Sequence, residues 1–275
     1  MCFFCYIEIE QFDCDPQSQV MNINQEIEAV FCQRDDIPLF YIESGSRLWG
    51  MASPDSDYDV RGFHMSSKSK YYDYKNHRDL IEIMNGDFDF VSYDLDKMFG
   101  LLAKSNPNTL EWVRAHIEYL NHIPEWQTFR QGLLERIEYS ALHYHYLSLA
   151  MGNLHTMQKN HNFTYKKVFY CIRGLMSAEL ATRREMPKLF ISSLFGQIQQ
   201  HDGLREWAEY YLEIKKQKDE KSQLSLQEQE QVVTLLENKI RALQAVDMEK
   251  SNTQRIMLEG YLTDYSVHLK NHFYG

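Results

Sequence analysis

The chain has 275 residues, 44% hydrophobic and 25% charged, with 12 glycines and 6 prolines; this length supports one large domain or two ordinary ones, and the composition excludes collagen-like, disulfide-dense and low-complexity classes. A formal net charge of −10 argues against a protein that grips nucleic acid over its whole surface, while leaving room for a local basic groove. No apolar run approaches the roughly 18 residues of a membrane span, and the apolar start is interrupted by Glu8 and Glu10 and lacks a basic leader, so no secretory signal is expected and the cytoplasm is the expected location.

Residues 1–20 read as an extension. Cys2 and Cys5 form a Cys-x-x-Cys pair for which Cys14 and Cys32 are candidate further zinc ligands. No second paired motif follows, and five cysteines without regular spacing fit a reducing compartment better than a metal site or disulfides. At Met21 an amphipathic helix pattern begins, with Ile23, Ile27, Val30 and Phe31 on one face. Residues 39–43, apolar and β-branched or aromatic, predict a strand that runs into Ser44, Gly45 and Ser46. A short helix is expected at residues 47–51. Residues 57–65, 80–84 and 88–93 alternate as strands do, and Asn85-Gly86 between the last two is a strong hairpin signal. The polar, tyrosine-rich residues 66–78 predict a loop over the sheet.

After Asp94 helical periodicity takes over and no strand is expected. Helices are predicted at residues 95–104 and 109–116, separated by Ser105, Asn106 and Pro107, then at 124–137, 139–157, 164–185, 203–216 and 225–246. The expected fold is α+β: an N-terminal extension at 1–20, a small mixed-sheet domain at 21–120, and a helical domain at 121–275 that completes a cleft.

The chemistry concentrates in residues 45–61, GSRLWGMASPDSDYDVR. In a strand, residues two apart share a face about 7 Å apart, so Asp57 and Asp59 aim two carboxylates together. Like charges so close repel unless something positive lies between them. Two magnesium ions roughly 3.5 to 4 Å apart, or manganese, would supply that charge and suit a phosphoryl-type displacement. Gly45 lets the backbone approach a phosphate closely, and the N–H groups of Ser46 and Arg47 would open a helix whose terminus favours anions. Arg47 and Arg61 are candidates to neutralise phosphate charge, although Arg61 sits on the face of Asp59 and would equally pair with it.

Each piece alone is weak: an Asp-x-Asp pair is more often a surface strand or turn. The combination of strand, Gly-Ser, a ten-residue gap and Asp-x-Asp on a new strand resembles the signature of the DNA polymerase beta-like nucleotidyltransferase superfamily. Within it, Gly45-Ser46-Arg47, Trp49-Gly50 and the string from Ser56 to Gly62 are similar to the predicted nucleotidyltransferase family of an RNA repair pathway. Similarity returns at Asp89 to Tyr93, Lys97, Phe99 and Lys104 to Glu111, and more loosely from Tyr165-Lys166-Lys167 through Arg173 to Glu179. The resemblance implies transfer of a nucleoside monophosphate from an NTP to an acceptor hydroxyl, an RNA 3′ end first among acceptors, in RNA repair or tRNA processing. It also implies a third metal-linked carboxylate on a neighbouring strand. Asp89 is the choice, and Asp87 lies on the same face.

Between His155 and Lys188 there are seven Lys or Arg and two Glu, which reads either as a solvated helix face or as an anion-binding groove for RNA. Lys166, Lys167 and Arg173 are placed at helical spacings from which they would reach a triphosphate across the cleft. Asn106-Pro107-Asn108, with Glu111, reads either as a helix cap that needs no ligand or as a substrate contact. No histidine spacing makes a zinc motif. Two other functions remain open at this stage: nucleotidylation of a protein hydroxyl, and a catalytically silent interaction module.

Overall fold

A computed structural model describes residues 22–52, 56–199, 203–215 and 222–275. The expected extension at residues 1–20 lies outside the described residues, as do Met21 and Cys2, Cys5 and Cys14. In chain order the elements are α1 (Ile23–Phe31), β1 (Ile37–Glu43), α2 (Gly45–Leu48), β2 (Tyr58–Met65), α3 (Lys68–Tyr72), β3 (Leu80–Asn85), β4 (Phe88–Asp94), α4 (Leu95–Leu102), α5 (Pro107–Arg114) and β5 (Glu118–Asn121). Helices follow: α6 (Trp126–Leu134), α7 (Tyr139–Asn160), α8 (Tyr165–Thr182), α9 (Ile191–Phe195), α10 (Gly203–Lys215), α11 (Leu226–Gln244) and α12 (Asn252–Tyr274). The fold is α+β, as expected.

The sheet has five strands in the order β3-β4-β2-β1-β5. Among the described strands only β2 and β4 pair in parallel; β3 and β4 form the expected hairpin, with Gly86 at φ +57° in its turn. Alternation along the strands divides the sheet residues between two cores. One face carries Tyr41, Val60, Phe88 and Phe90, which pack on Ile23, Ile27 and Phe31 of α1. The other face carries Leu39, Ile42, Phe63 and Met65, which belong to a cluster continuing through the helices to Leu269. Asp57, Asp59 and Arg61 follow the parity of Phe63 and Met65, so the charged end of β2 lies on the helical side.

Four elements depart from the sequence-based expectation. β5 was not expected: it has only four residues, with exposed polar ends, and its pairing with β1 supplies order that its own pattern does not show. The predicted loop at residues 66–78 contains the short helix α3. The small α9 and the long α12 were unassigned; α12 buries only Leu258, Leu262 and Leu269 while exposing Ile256, Met257 and Val267, so it lacks a clean apolar stripe. No helix among the described residues is long and apolar enough to cross a membrane.

α12 is nevertheless tied in by aromatic packing. Phe129 of α6 is 1% exposed and lies between Tyr265, with ring centroids 4.1 Å apart, Phe99 at 5.6 Å and Tyr261 at 5.8 Å. Phe129→Ala removes the ring shared by α4, α6 and α12. The expected cost is about 3–5 kcal/mol of folding free energy, read from urea unfolding; a loss below 1 kcal/mol would show that this junction does not hold the helices together.

Candidate active site

The approach of the chain to the site is set by glycine. α2 begins at Gly45, two residues before the predicted helix at 47–51, so the open helix end is formed by Gly45, Ser46 and Arg47. Gly45 has φ +59°, and a Cβ there would stand 2.0 Å from the Asp59 carboxylate oxygen Oδ2. Any larger residue would both strain the backbone and displace Asp59. Ser46 is buried within the same turn.

Arg47 is a brace. Its Nε donates to the Asp57 carbonyl at 3.1 Å and its terminal nitrogen to the Ser56 carbonyl at 2.7 Å, and its guanidinium lies 4.0 Å from the centroid of the Tyr58 ring. These contacts hold the start of β2 against α2. The expected free cation for phosphate is therefore engaged with backbone.

Parallel pairing places Asp59 directly opposite Asp89. Arg61 lies between them: one terminal nitrogen is 2.7 Å from Asp59 and 2.6 Å from Asp89, and the other also reaches the Asp89 carboxylate at 3.1 Å. Arg61 thus pairs with both carboxylates, the second of its two anticipated roles. Asp57 is exposed at the mouth of the strand. Asp87 is exposed beyond the end of β4, where its carbonyl accepts from the Tyr58 amide at 2.7 Å. Register and the shared guanidinium group Asp89, not Asp87, with Asp59.

Burial pushes the Asp59 carboxyl above the ordinary carboxylate range. Arg61 opposes that shift, the charges of Asp89 and Asp57 add to it, and Lys166 opposes it again. Four charged groups, from β2, the residue before it, β4 and α8, therefore act on one carboxylate. Among the described residues no three His, Cys, Asp or Glu side chains are gathered into a metal cage. Magnesium does not need one: it is commonly held by one or two carboxylates together with substrate phosphates. The hard oxygen donors of Asp57 and Asp59, with Asp89 alongside, fit that mode.

Glu43 is a site residue that sequence reasoning passed over. It is 1% exposed at the end of β1, and its carboxylate accepts from the Asp59 amide at 2.9 Å and from the Tyr119 hydroxyl. Its only sequence signal was an acid closing an apolar strand. Tyr119 belongs to the unexpected β5. Burial raises the Glu43 carboxyl above its usual value of 4.5, against the opposing effects of Tyr119, the Asp59 amide and Arg47; the Asp59 charge adds to the rise. A raised carboxyl supports the fold fully below the unfolded value and loses that contribution as pH rises through the folded one. Accordingly, the stability of Glu43→Gln relative to the parent is expected to improve between about pH 4 and about pH 8. Urea unfolding at the two pH values measures this, and a pH-independent difference would refute the assignment.

The cations between His155 and Lys188 fall in different environments. Lys166 at the start of α8 acts electrostatically on Asp59, and neighbouring Lys167 is half-buried with its amide donating to the Thr164 cap at 3.3 Å. Arg183, by contrast, lies 3.8 Å from Glu179 and 3.3 Å from Glu185. Arg173 also departs from expectation. It is buried, donates to Glu111 at 2.9 Å and stacks 3.9 Å from the centroid of the Trp49 ring, so it does not reach out to a triphosphate. Trp49 Nε1 donates to the other Glu111 oxygen at 3.1 Å. The sequence placed Glu111 next to a capping motif, and Asn106 does cap α5, accepting from the amides of Asn108 and Thr109.

Glu111→Ala would leave the Arg173 charge buried without its partner, at an expected cost of about 3–5 kcal/mol. Replacing both, as Glu111→Ala with Arg173→Met, should recover most of that loss. Denaturant unfolding of the two variants tests this; equal destabilisation by both would show that charge burial is not the cause.

A Gly-Ser turn packed on an Asp-x-Asp strand, with a third carboxylate in register on a parallel neighbour and helices closing one side, is the arrangement implied by the polymerase beta-like nucleotidyltransferase resemblance. The model of the RNA repair pathway DNA polymerase beta family matches residues 21–264, and the chain belongs to that family. An uncharacterized protein of Bacillus subtilis is 30% identical over 184 residues, 66% of this chain and 71% of that protein. An uncharacterized protein of Methanocaldococcus jannaschii is 38% identical over 80 residues, 28% of this chain and 32% of that one. The structure of a nucleotidyltransferase-like protein from Exiguobacterium sibiricum aligns with 90% of this chain and 87% of its own at a TM-score of 0.30 and 11% identity, a likeness too low to add to the assignment.

Proposed function

We propose that the protein is a magnesium-dependent enzyme that moves NMP from an NTP to an acceptor hydroxyl. The observation that carries this reading is the juxtaposition of Asp59 with Asp89 across β2 and β4, with the Gly45 backbone lying against the Asp59 carboxylate. Membership of a family described by RNA repair favours an RNA 3′ end as acceptor.

In this reading Asp57 and Asp59 would hold magnesium, one ion or a pair. The metal, when bound, neutralises triphosphate charge and polarises the α-phosphate. The open turn at Gly45 and Ser46 accepts phosphate oxygens on backbone N–H groups. Lys166 and Lys167 approach the phosphates from α8, and Arg61 remains available to exchange a carboxylate partner for a phosphate oxygen. The acceptor oxygen attacks the α-phosphorus while the bond to the β-phosphate bridging oxygen breaks, releasing pyrophosphate. In the same reading Asp89 takes the hydroxyl proton.

Incubation with each labelled NTP, magnesium and total RNA is the direct test. RNA labelling by the parent should be lost, by at least about a hundredfold, in Asp57→Ala/Asp59→Ala. Equal labelling by both proteins would refute the mechanism. Mass spectrometry of the products identifies the acceptor, since a nucleotide found on protein and never on RNA overturns the choice of RNA.

A further inference from the structure

Away from the carboxylates, the end of α4, the first turns of α7 and the entry to α12 enclose a cleft of about 520 Å³, within the range of small-ligand sites. Three cations reach it from separate parts of the chain: Lys104 just after α4, Lys250 just before α12, and Arg255 in the first turn of α12. Neither lysine has a carboxylate partner among the described residues. The Lys250 ammonium lies 5.6 Å from the centroid of the Tyr144 ring, which stands half-buried on the α7 wall. Two carboxylates also line the cleft, and both have partners. Glu138 accepts from the Ser140 hydroxyl at 2.7 Å, and Glu259 lies 3.8 Å from Arg255.

A concave site with converging cations and a half-buried aromatic ring in its wall has the chemistry of a phosphorylated ring compound. Cations take the phosphate, and the ring stacks a base without regard to its identity. The excess of positive charge is local, in a chain of net charge −10. In the basic stretch between His155 and Lys188, Arg173 and Arg183 are held in ion pairs; neither lysine of this cleft is.

We propose that the cleft binds a nucleoside phosphate, held at the phosphate by Lys104, Lys250 and Arg255 and at the base by Tyr144. The ligand is a free nucleotide or one unit of a single-stranded RNA, and the two share this chemistry. The choice of a nucleotide among phosphorylated ring compounds rests on the activity proposed above; the cation cluster does not.

The test uses the full chain in EDTA, which removes divalent ions from the carboxylate site. Binding of AMP is followed by calorimetry, and binding of a fluorescein-labelled oligoadenylate of about twelve nucleotides by anisotropy. The parent is expected to bind at least one probe. Lys104→Glu/Lys250→Glu should weaken that binding by about tenfold or more and flatten its salt dependence, and Tyr144→Ala should weaken it by about fivefold or more, with unchanged melting temperatures. AMP binding identifies the free nucleotide as the source of the ligand; binding of the oligonucleotide alone identifies the strand.

A parent that binds neither probe, or cleft variants that bind as the parent does, would overturn the inference. The same titration on Asp57→Ala/Asp59→Ala separates the two readings. Binding kept there and lost in the cleft variants assigns the site even if no nucleotidyl transfer is found. Transfer activity with cleft variants that bind normally removes the cleft and leaves the enzyme.

Discussion

Like charges on adjacent strands must be compensated, and the centre of this protein is organised around that requirement. Parallel pairing of β2 with β4 sets Asp59 beside Asp89, and the Arg61 guanidinium, from the same strand face as Asp59, answers both. At this partly buried depth a carboxylate pair without a cation would shift its proton affinity until one member was neutral. Glu43 and Lys166 extend the arrangement beneath β2 and across to α8. The position of the sheet strands, the turn at Gly45 and the docking of α8 all bear on this one cluster.

The helical half contributes to it through the buried set formed by Trp49, Glu111 and Arg173. Trp49 follows α2, Glu111 lies on α5 and Arg173 on α8, so three elements meet on one carboxylate. The Tyr146 hydroxyl adds a longer contact from α7 at 3.4 Å. Burial makes such a group costly to form and costly to break. Its stability follows from the helices that exclude water around it, while its geometric effect falls on the Gly45 turn.

Much of this was legible in the sequence where local pattern and local chemistry agree. Alternation exposed β2, β3 and β4, and Asn85-Gly86 gave their hairpin. Gly45, Asp57 and Asp59 stood out only in combination and through the family resemblance, since a Gly-Ser turn or an Asp-x-Asp pair alone is ordinary. Asp89 needed the family resemblance, since nothing in a single strand reveals which neighbour it pairs with. Glu43 and Tyr119 were hidden because their meaning arises only when β1 pairs with β5, a four-residue edge strand with little pattern of its own. Arg173 misled for a related reason: helical spacing gives the face of a residue but not whether a distant acid such as Glu111 will meet it there.

The Glu111 junction also bears on what counts as a unit in this chain. A division near residue 120 follows the change from strands to helices, yet the acid on α5 finds its base more than sixty positions later, on α8. A fragment ending at β5 would keep Trp49 and Glu111 while discarding Arg173, leaving a carboxylate made for a dry interior facing solvent. The strand-rich part would then retain its sequence motif without the mechanical support that sets its turn. The Glu111–Arg173 pair thus ties α5 to α8 across the change from strands to helices.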